Sequence, residues 1–425
     1  MRRNLLPVLA LLLGTLFLFT GNGLHSLLLP IRGTAEGYPT TTLGLLGTTW
    51  ATGFVVGCLT APKLVRRIGH VRAFSGFIAL IAIIALLTGM VVDATWWVVL
   101  RAVTGFCTAG TSMIIESWLN ERATNESRGA IFSLYIGITL IGAVAGQMMV
   151  PLANIHTPML FMACGICYCI AMLPTTLSNA ASPQPLKAVK LDLPALYRNS
   201  PVSCLGILLV GIANGAYGTL GAVFGARAGL SDGNIALMMS STIFAGAVMQ
   251  FPAGRLSDRI DRRYVLAGMS AVAAIAGLLI FLLQPSAPAL LISLVILYGA
   301  VANTLYPITV AHANDFASSE DFVKVSGGLL LLYGIGTIIG PTVGGPIMSN
   351  IGPYALFAVT AIAHVLITGY AIMRSRMRAS KPAHERDAYT NMPSANSQMI
   401  TPESLTLASR SENVAASDDP AVNYG

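Results

Sequence analysis

Gly254-Arg255-Leu256-Ser257-Asp258-Arg259-Ile260-Asp261-Arg262-Arg263 crowds six charged side chains into ten residues. The apolar run 233–253 lies before it and the apolar run 264–284 after it. Each run is long enough for a membrane-crossing helix, which needs about 20 apolar residues at about 1.5 Å per residue. Charge held in a short gap between two such runs places the gap at the water and the runs in hydrocarbon.

The pattern repeats along the chain. Of 425 residues 54% are apolar and 10% charged, with a mean hydropathy of +0.70; soluble chains carry about 25% charged residues. This balance excludes a soluble enzyme, a secreted disulfide scaffold and a disordered chain. The net charge of +7 falls in the gaps between runs, so no nucleic-acid partner is expected. Twelve spans are read: 5–31, 41–61, 71–92, 95–119, 129–151, 158–178, 201–225, 233–253, 264–284, 287–312, 326–348 and 352–373. The runs are continuous rather than alternating, which excludes a β-barrel. Met1-Arg2-Arg3 and the run after it have the flavour of a signal peptide. The run continues to Pro30-Ile31 without a convincing cleavage site, so it is read as the first helix.

With the N-terminus in the cytoplasm, 22 of the 25 Lys and Arg fall on the cytoplasmic side. Arg32 and Arg227 fall outside, and Arg101 lies within a span. That bias orients the chain with both termini cytoplasmic. Trp96 and Trp97 then mark the outer interface and Trp118 the inner one. Residues 179–200, with Pro183, Pro185, Lys187, Lys190 and Pro194, read as a cytoplasmic linker between bundles 1–178 and 201–374. Residues 375–425, polar and aperiodic, read as a disordered cytoplasmic tail. The six cysteines all lie in apolar runs. Even Cys164-x-x-Cys167-x-Cys169, without a nearby His or acid, reads as helix packing, and no metal or other cofactor is expected.

The halves are related. A shift of 192 carries Asn22-Gly23 onto Asn214-Gly215, Gly37 onto Gly229, Leu64 onto Leu256 and Arg67 onto Arg259. A shift of 198 carries Tyr135, Gly142 and Gly146 onto Tyr333, Gly340 and Gly344. The expected fold is an all-α membrane protein of twelve transmembrane helices in two pseudo-symmetric six-helix bundles, with a site between them near mid-membrane.

The 254–263 stretch resembles the cytoplasmic loop signature G-x-L-x-D-R-x-G-R-R of the major facilitator superfamily, with Asp261 at its second glycine. The first-half counterpart, Pro62-Lys63-Leu64-Val65-Arg66-Arg67-Ile68-Gly69-His70, has Pro62 for the first glycine and Arg66 for the acid. Arg101-x-x-x-Gly105 resembles that superfamily's R-x-x-Q-G pattern, with Thr104 for Gln. Gly336-x-x-x-Gly340-Pro341-x-x-Gly344 resembles the glycine-proline motif of its exporters, which there lies in helix five. Glu116-Ser117-Trp118-Leu119-Asn120-Glu121 and His312-Ala313-Asn314-Asp315 resemble an uncharacterised bacterial branch, the YcaD-like transporters. The resemblance covers residues 1–374 and implies that the loop acid helps lock an inner gate.

Arg101 lies eight residues past Asp93, about 12 Å into its helix, too deep for easy escape to the surface. It is read as a substrate or proton-coupling contact, against a structural pairing with carbonyls. Asn22, His25 and Ser26 share a helix face, as do Asn214 and Tyr217. Asn22, His25, Asn214 and Tyr217 are candidate cavity residues, with Gln147, Gln250, Asn303 and Tyr306 as weaker ones; interhelical hydrogen bonding is the alternative for each. Glu116 is placed near Arg66, Arg67 and Gly69, and Asp315 near Asp258, Arg259 and Arg262, as inner-gate charge clusters. Gly336, Gly340, Pro341 and Gly344 read as a close-packing or hinge segment. His312 and His364 read as packing residues.

No nucleotide, metalloprotease or nucleophile-elbow motif is present, so neither an ATP-driven pump nor a membrane enzyme is expected and no residue is assigned as catalytic. The expectation is a monomeric secondary transporter of a small solute in the bacterial inner membrane. It works by alternating access with proton coupling as the default, export slightly favoured. A transporter-fold sensor or uncoupled facilitator is the alternative. The usual exporter acid of the first helix is missing; Asn22 and His25 take the polar role there. Arg101 without a nearby intramembrane acid favours a substrate with anionic or hydroxyl groups.

Overall fold

The computed structural model describes residues 2–123, 127–176, 193–317, 322–377 and Thr401. Among these residues there is no strand; every element is helical. In chain order the helices are α1 (Arg2–Ala35), α2 (Thr40–Ile68), α3 (His70–Met90), α4 (Ala94–Arg122), α5 (Arg128–Met148), α6 (Met159–Thr176) and α7 (Leu193–Asn199). Then come α8 (Pro201–Arg227), α9 (Asp232–Arg259), α10 (Arg262–Leu283), α11 (Pro288–Ala302), α12 (Leu305–Asn314), α13 (Phe322–Ile351) and α14 (Ala355–Met377). Twelve segments are long and apolar enough to cross a membrane, and α11 and α12 together make one of them. Many large side chains, such as Ile141, Phe244, Leu282 and Ile362, point outward. An apolar exterior is what lipid requires.

Helices α1–α6 pack mainly on one another, and α8–α14 likewise, giving two bundles. The bundles meet along α2 with α13, α5 with α9, and α1 with α8. Within each bundle, tight crossings rest on missing Cβ atoms, the usual basis of helix packing where water offers no driving force. A Cβ on Gly146 would overlap the Thr20 carbonyl, joining α5 to α1; a Cβ on Gly340 would overlap the Ile212 carbonyl, joining α13 to α8.

The repeat is visible in the turns. Gly37 and Gly229, 192 residues apart, have φ of 77° and 82°, and each follows a helix that ends in the same way. Tyr38 N–H donates to Gly33 O at 2.9 Å, and Leu230 N–H to Gly225 O at 3.0 Å. Only a residue without a Cβ adopts that φ at no cost.

The two charged loops turn differently. Gly69, at φ 87°, is the single residue between α2 and α3. Its counterpart Asp261 keeps φ at −57° and instead caps α10, its side chain accepting from Arg263 N–H at 3.0 Å. With Ile260 extended at φ −116°, that turn needs no glycine.

Three elements differ from the sequence expectation. Span 287–312 is broken at Asn303 and Thr304. Pro307 has no N–H for the Asn303 carbonyl, and its ring crowds that carbonyl. The expected linker 179–200 contains the helix α7; its residues 179–192 lie outside the described residues. Helix α14 runs to Met377, into the expected tail, the rest of which, Thr401 apart, lies outside the described residues.

Candidate functional site

The bundles have a basic end, carrying Arg66, Arg67, Arg259 and Arg262, and a far end, carrying Arg32, Asp93 and Arg227. The seam between α2 and α13 runs from the far end, where Gly345 sits against Thr40, to mid-depth, where Gly334 sits against Val55. Hydrogen bonds fasten its far half. Thr48 Oγ1 and Thr342 Oγ1 are 2.9 Å apart. Ser240 Oγ donates to Gln147 Oε1 at 3.0 Å, joining α9 to α5. Arg227 Nη2 donates to Tyr38 O at 3.1 Å.

Arg101 is 8% exposed and lies about 10 Å from the far end of α4. Its guanidinium lies over the Trp50 ring, 5.7 Å from the centroid. The reason is one turn away: Gly105 has no side chain, so the Trp50 backbone of α2 packs directly on α4. Trp50 stacks on Phe54 at 5.1 Å, and Ile338 of α13 packs against this cluster from the other bundle. His25 of α1 and Tyr168 of α6 lie within electrostatic range of Arg101. His25 is fully buried, edge-on to Phe161 at 6.2 Å. Asn22, three residues earlier on α1, is buried.

These groups are short of partners. Arg101 Nε and Nη1, Trp50 Nε1, Tyr168 Oη and both His25 ring nitrogens are buried with no hydrogen bond. Buried polar groups are normally satisfied, so such a concentration marks a place where something else supplies the partner.

The second bundle carries a related cluster, in which Tyr298 Oη and both His364 ring nitrogens are likewise buried without a hydrogen bond. Phe161 and Phe357 are 196 residues apart, as are Tyr168 and His364; His25 and Tyr217 are 192 apart. Tyr217 packs on Phe357 at 6.2 Å and on Tyr298 at 5.4 Å, and Tyr298 on His364 at 5.6 Å. Tyr217 Oη lies 3.1 Å from Thr242 Oγ1, and Asn303 Nδ2 donates to Thr242 O at 3.3 Å. No arginine stands in this cluster, so the fixed charge of Arg101 belongs to the first bundle alone.

The other expected residues fall as follows. Gln147 bridges to Ser240 as above. Asn214 is part-buried with Nδ2 unpartnered, and Gln250 is buried on α9. Tyr306 is sealed against Tyr333 at 5.0 Å, inside the second bundle. Gly336, Gly340 and Gly344 lie against α8, and the Pro341 carbonyl meets Gly44 of α2 across the seam.

At the basic end, Arg262 is 1% exposed. It donates from Nε to Asp315 Oδ2 at 2.8 Å and from Nη1 to Ser257 Oγ at 2.8 Å, with Asp258 Oδ1 at 3.4 Å. Glu116 is fully buried and accepts from Tyr135 Oη at 3.0 Å and from the Thr401 hydroxyl. Arg66, Arg67 and Arg259 are exposed. Cys164 and Cys167 are buried while Cys169 is exposed, so the three do not converge. No cluster fit for a metal exists among the described residues.

Trp50 and Tyr168 are not among the residues expected from the sequence. Trp50 carried a signal: it lies ten residues into its helix, far from the interface where tryptophan usually sits.

The profile of the Major Facilitator Superfamily matches residues 11–233 and 202–410. An uncharacterised MFS-type transporter of Yersinia pestis is 26% identical over 385 residues, covering 90% of this chain and 98% of its own. The uncharacterised MFS-type transporter YcaD of Escherichia fergusonii is 27% identical over 382 residues, covering 89% and 98%. Among solved structures, the nucleoside transporter NupG superposes with a TM-score of 0.69 at 16% identity, covering 86% and 98%. A bacterial homologue of the human lysosomal transporter Spinster, inward-facing and unoccupied, gives 0.71 at 15% identity, covering 90% and 98%.

Proposed function

Because this chain belongs to the major facilitator superfamily, we propose that it is a secondary transporter that carries a small solute past Arg101 by alternating access. The observation that carries this reading is the far-side seam: the bundles are fastened over the far half, by Thr48–Thr342, Gln147–Ser240 and Arg227–Tyr38. Unsatisfied polar groups at Trp50 and Arg101 lie just inward of the Thr48–Thr342 contact. A fastened far half above a polar centre is the arrangement of a carrier that exposes its site to one face at a time.

With the basic end in the cytoplasm by the positive-inside rule, the conformation is inward-facing, and both termini are cytoplasmic in the bacterial inner membrane. The chain has no nucleotide-binding motif, so an ion gradient drives it, and the proton is the default ion. The likeness of the α13 glycine-proline stretch to an exporter motif favours export. The working unit is a monomer, since each chain supplies both bundles. Arg262, Asp258 and Asp315 tie the basic ends of α9, α10 and α12 together within the second bundle and stay tied in this inward-facing state; Glu116 with the Arg66–Gly69 loop is the counterpart in the first.

Counterflow in proteoliposomes tests the reading. Preloaded vesicles should draw in labelled solute from a metabolite panel, and an imposed pH gradient should change the rate. Saturable binding without exchange for any solute would instead identify a sensor.

A further inference from the structure

Which solute this site takes is written in the sign of its unsatisfied groups. Arg101 offers Nε–H and Nη1–H, Trp50 an indole N–H, Tyr168 a hydroxyl and His25 a ring N–H, all buried and without a partner. Arginine and tryptophan can only donate; the tyrosine hydroxyl and the imidazole can. The acid on the same helix, Glu116, is 15 residues further along α4, about 22 Å away, and is engaged by Tyr135 and Thr401. A buried guanidinium whose N–H groups lack partners, beside further unpartnered donors, calls for a ligand that brings acceptor oxygens and negative charge.

We propose that Arg101 is the seat of a carboxylate, and that the transported solute is a small organic monoanion with an apolar or aromatic body. The charge count selects the monoanion. One guanidinium neutralises one carboxylate, whereas a phosphate dianion would leave an uncompensated charge inside the membrane, which is costly. Carboxylate and the planar guanidinium fork also match in geometry. The body follows from the apolar neighbours of Arg101: the stacked Trp50 and Phe54, with Ile338 packed against them from α13.

The inference rests on the transporter reading, so the test separates binding from transport. Purified full-length protein in nanodiscs is heated with benzoate, phenylacetate or acetate, and in parallel with benzamide and inorganic phosphate. Wild type, Arg101→Gln and Arg101→Lys are compared. We expect benzoate and phenylacetate to raise the midpoint saturably at about 1 mM or below, with acetate weaker and benzamide and phosphate without effect. Arg101→Gln should weaken that binding at least ~10-fold, and Arg101→Lys by less, because the charge remains without the fork. The unliganded midpoint serves as the folding control; should Arg101→Gln fail to fold, Arg101→Lys and the benzoate–benzamide contrast still decide. Equal protection by benzamide, undiminished binding in Arg101→Gln, preference for phosphate, or no protection by either aromatic acid would overturn the proposal. Those results would leave transport of a neutral solute standing. Arg101-dependent benzoate binding without counterflow would overturn the transporter reading and keep the carboxylate seat.

Discussion

Arg262 and Asp315 meet with Nε and Oδ2 2.8 Å apart, and both side chains are all but sealed from solvent. The contact pins the start of α10 to the residue that ends α12. Removing one partner strands a buried charge, which typically costs about 3–5 kcal/mol. Arg262→Ala and Asp315→Ala should therefore each lower stability by that order in detergent denaturation. The double variant Arg262→Met/Asp315→Leu should recover much of the loss. Asp258, 41% exposed and 3.4 Å from Arg262, behaves as a surface partner. Asp258→Asn should cost no more than about 1 kcal/mol while increasing cysteine accessibility at the basic end. A large stability loss in Asp258→Asn, or none in Arg262→Ala, would reverse this ranking.

Asp261 gives the same loop an acid limit. Burial pushes its carboxyl up, but hydrogen bonds from the Arg263 side chain and backbone, aided by the charges of Arg263 and His312, bring it below the usual carboxylate range. A depressed folded-state value means stability that is present above the unfolded carboxylate value, about 3.9, and lost as pH falls through the lower folded value. The thermal midpoint of wild type should drop below about pH 4 more steeply than that of Asp261→Asn. Parallel acid limbs in the two proteins would remove Asp261 from the account.

Much of this architecture is legible in the chain because lipid makes blunt demands. Apolar runs must be about 20 residues long, and duplicated halves leave fixed offsets, as Gly37 and Gly229 do with their matching left-handed turns. Arg101 also stands out by depth alone. The break at Asn303 was hidden because Pro307 sits in an otherwise uniform apolar run, where propensity and hydropathy point in opposite directions. That Trp50 lies under Arg101 depends on α2 crossing α4 at Gly53 and Gly105, a tertiary event with no local signature. Tyr168 joins them from a third helix for the same reason. The partner-poor character of this cluster emerges only when all four helices are in place.

The glycine crossings carry a prediction with its own control. A Cβ at Gly340 would run into the Ile212 carbonyl and the Ala216 amide, both backbone and unable to give way. Gly to Ala in a helix interior gains up to about 1 kcal/mol in propensity, while overpacking costs about 1–3 kcal/mol. Overpacking should win at Gly340, and Gly340→Ala should be destabilised. Gly137, on α5, has open space where a Cβ would go, so Gly137→Ala should be neutral or stabilised by up to about 1 kcal/mol. Denaturation of both variants in the same detergent decides the point; equal shifts would mean that the crossing of α8 and α13 is looser than described.

Thr48 and Thr342 offer the most direct hold on the transport cycle. Their hydroxyls are 2.9 Å apart across the seam, close enough for a pair of cysteines to reach disulfide distance after a small adjustment. If the far half must part once per cycle, a covalent bond there stops turnover without disturbing the centre. In a background lacking the six native cysteines, Thr48→Cys/Thr342→Cys should show counterflow when reduced and lose it when oxidised, with recovery on adding thiol. Each single variant should be insensitive to oxidation. The oxidised protein should still bind benzoate from the basic end, because the site at Arg101 lies below the bond. Sustained counterflow in fully cross-linked protein would mean that the far seam never opens, and alternating access about Arg101 would have to be abandoned.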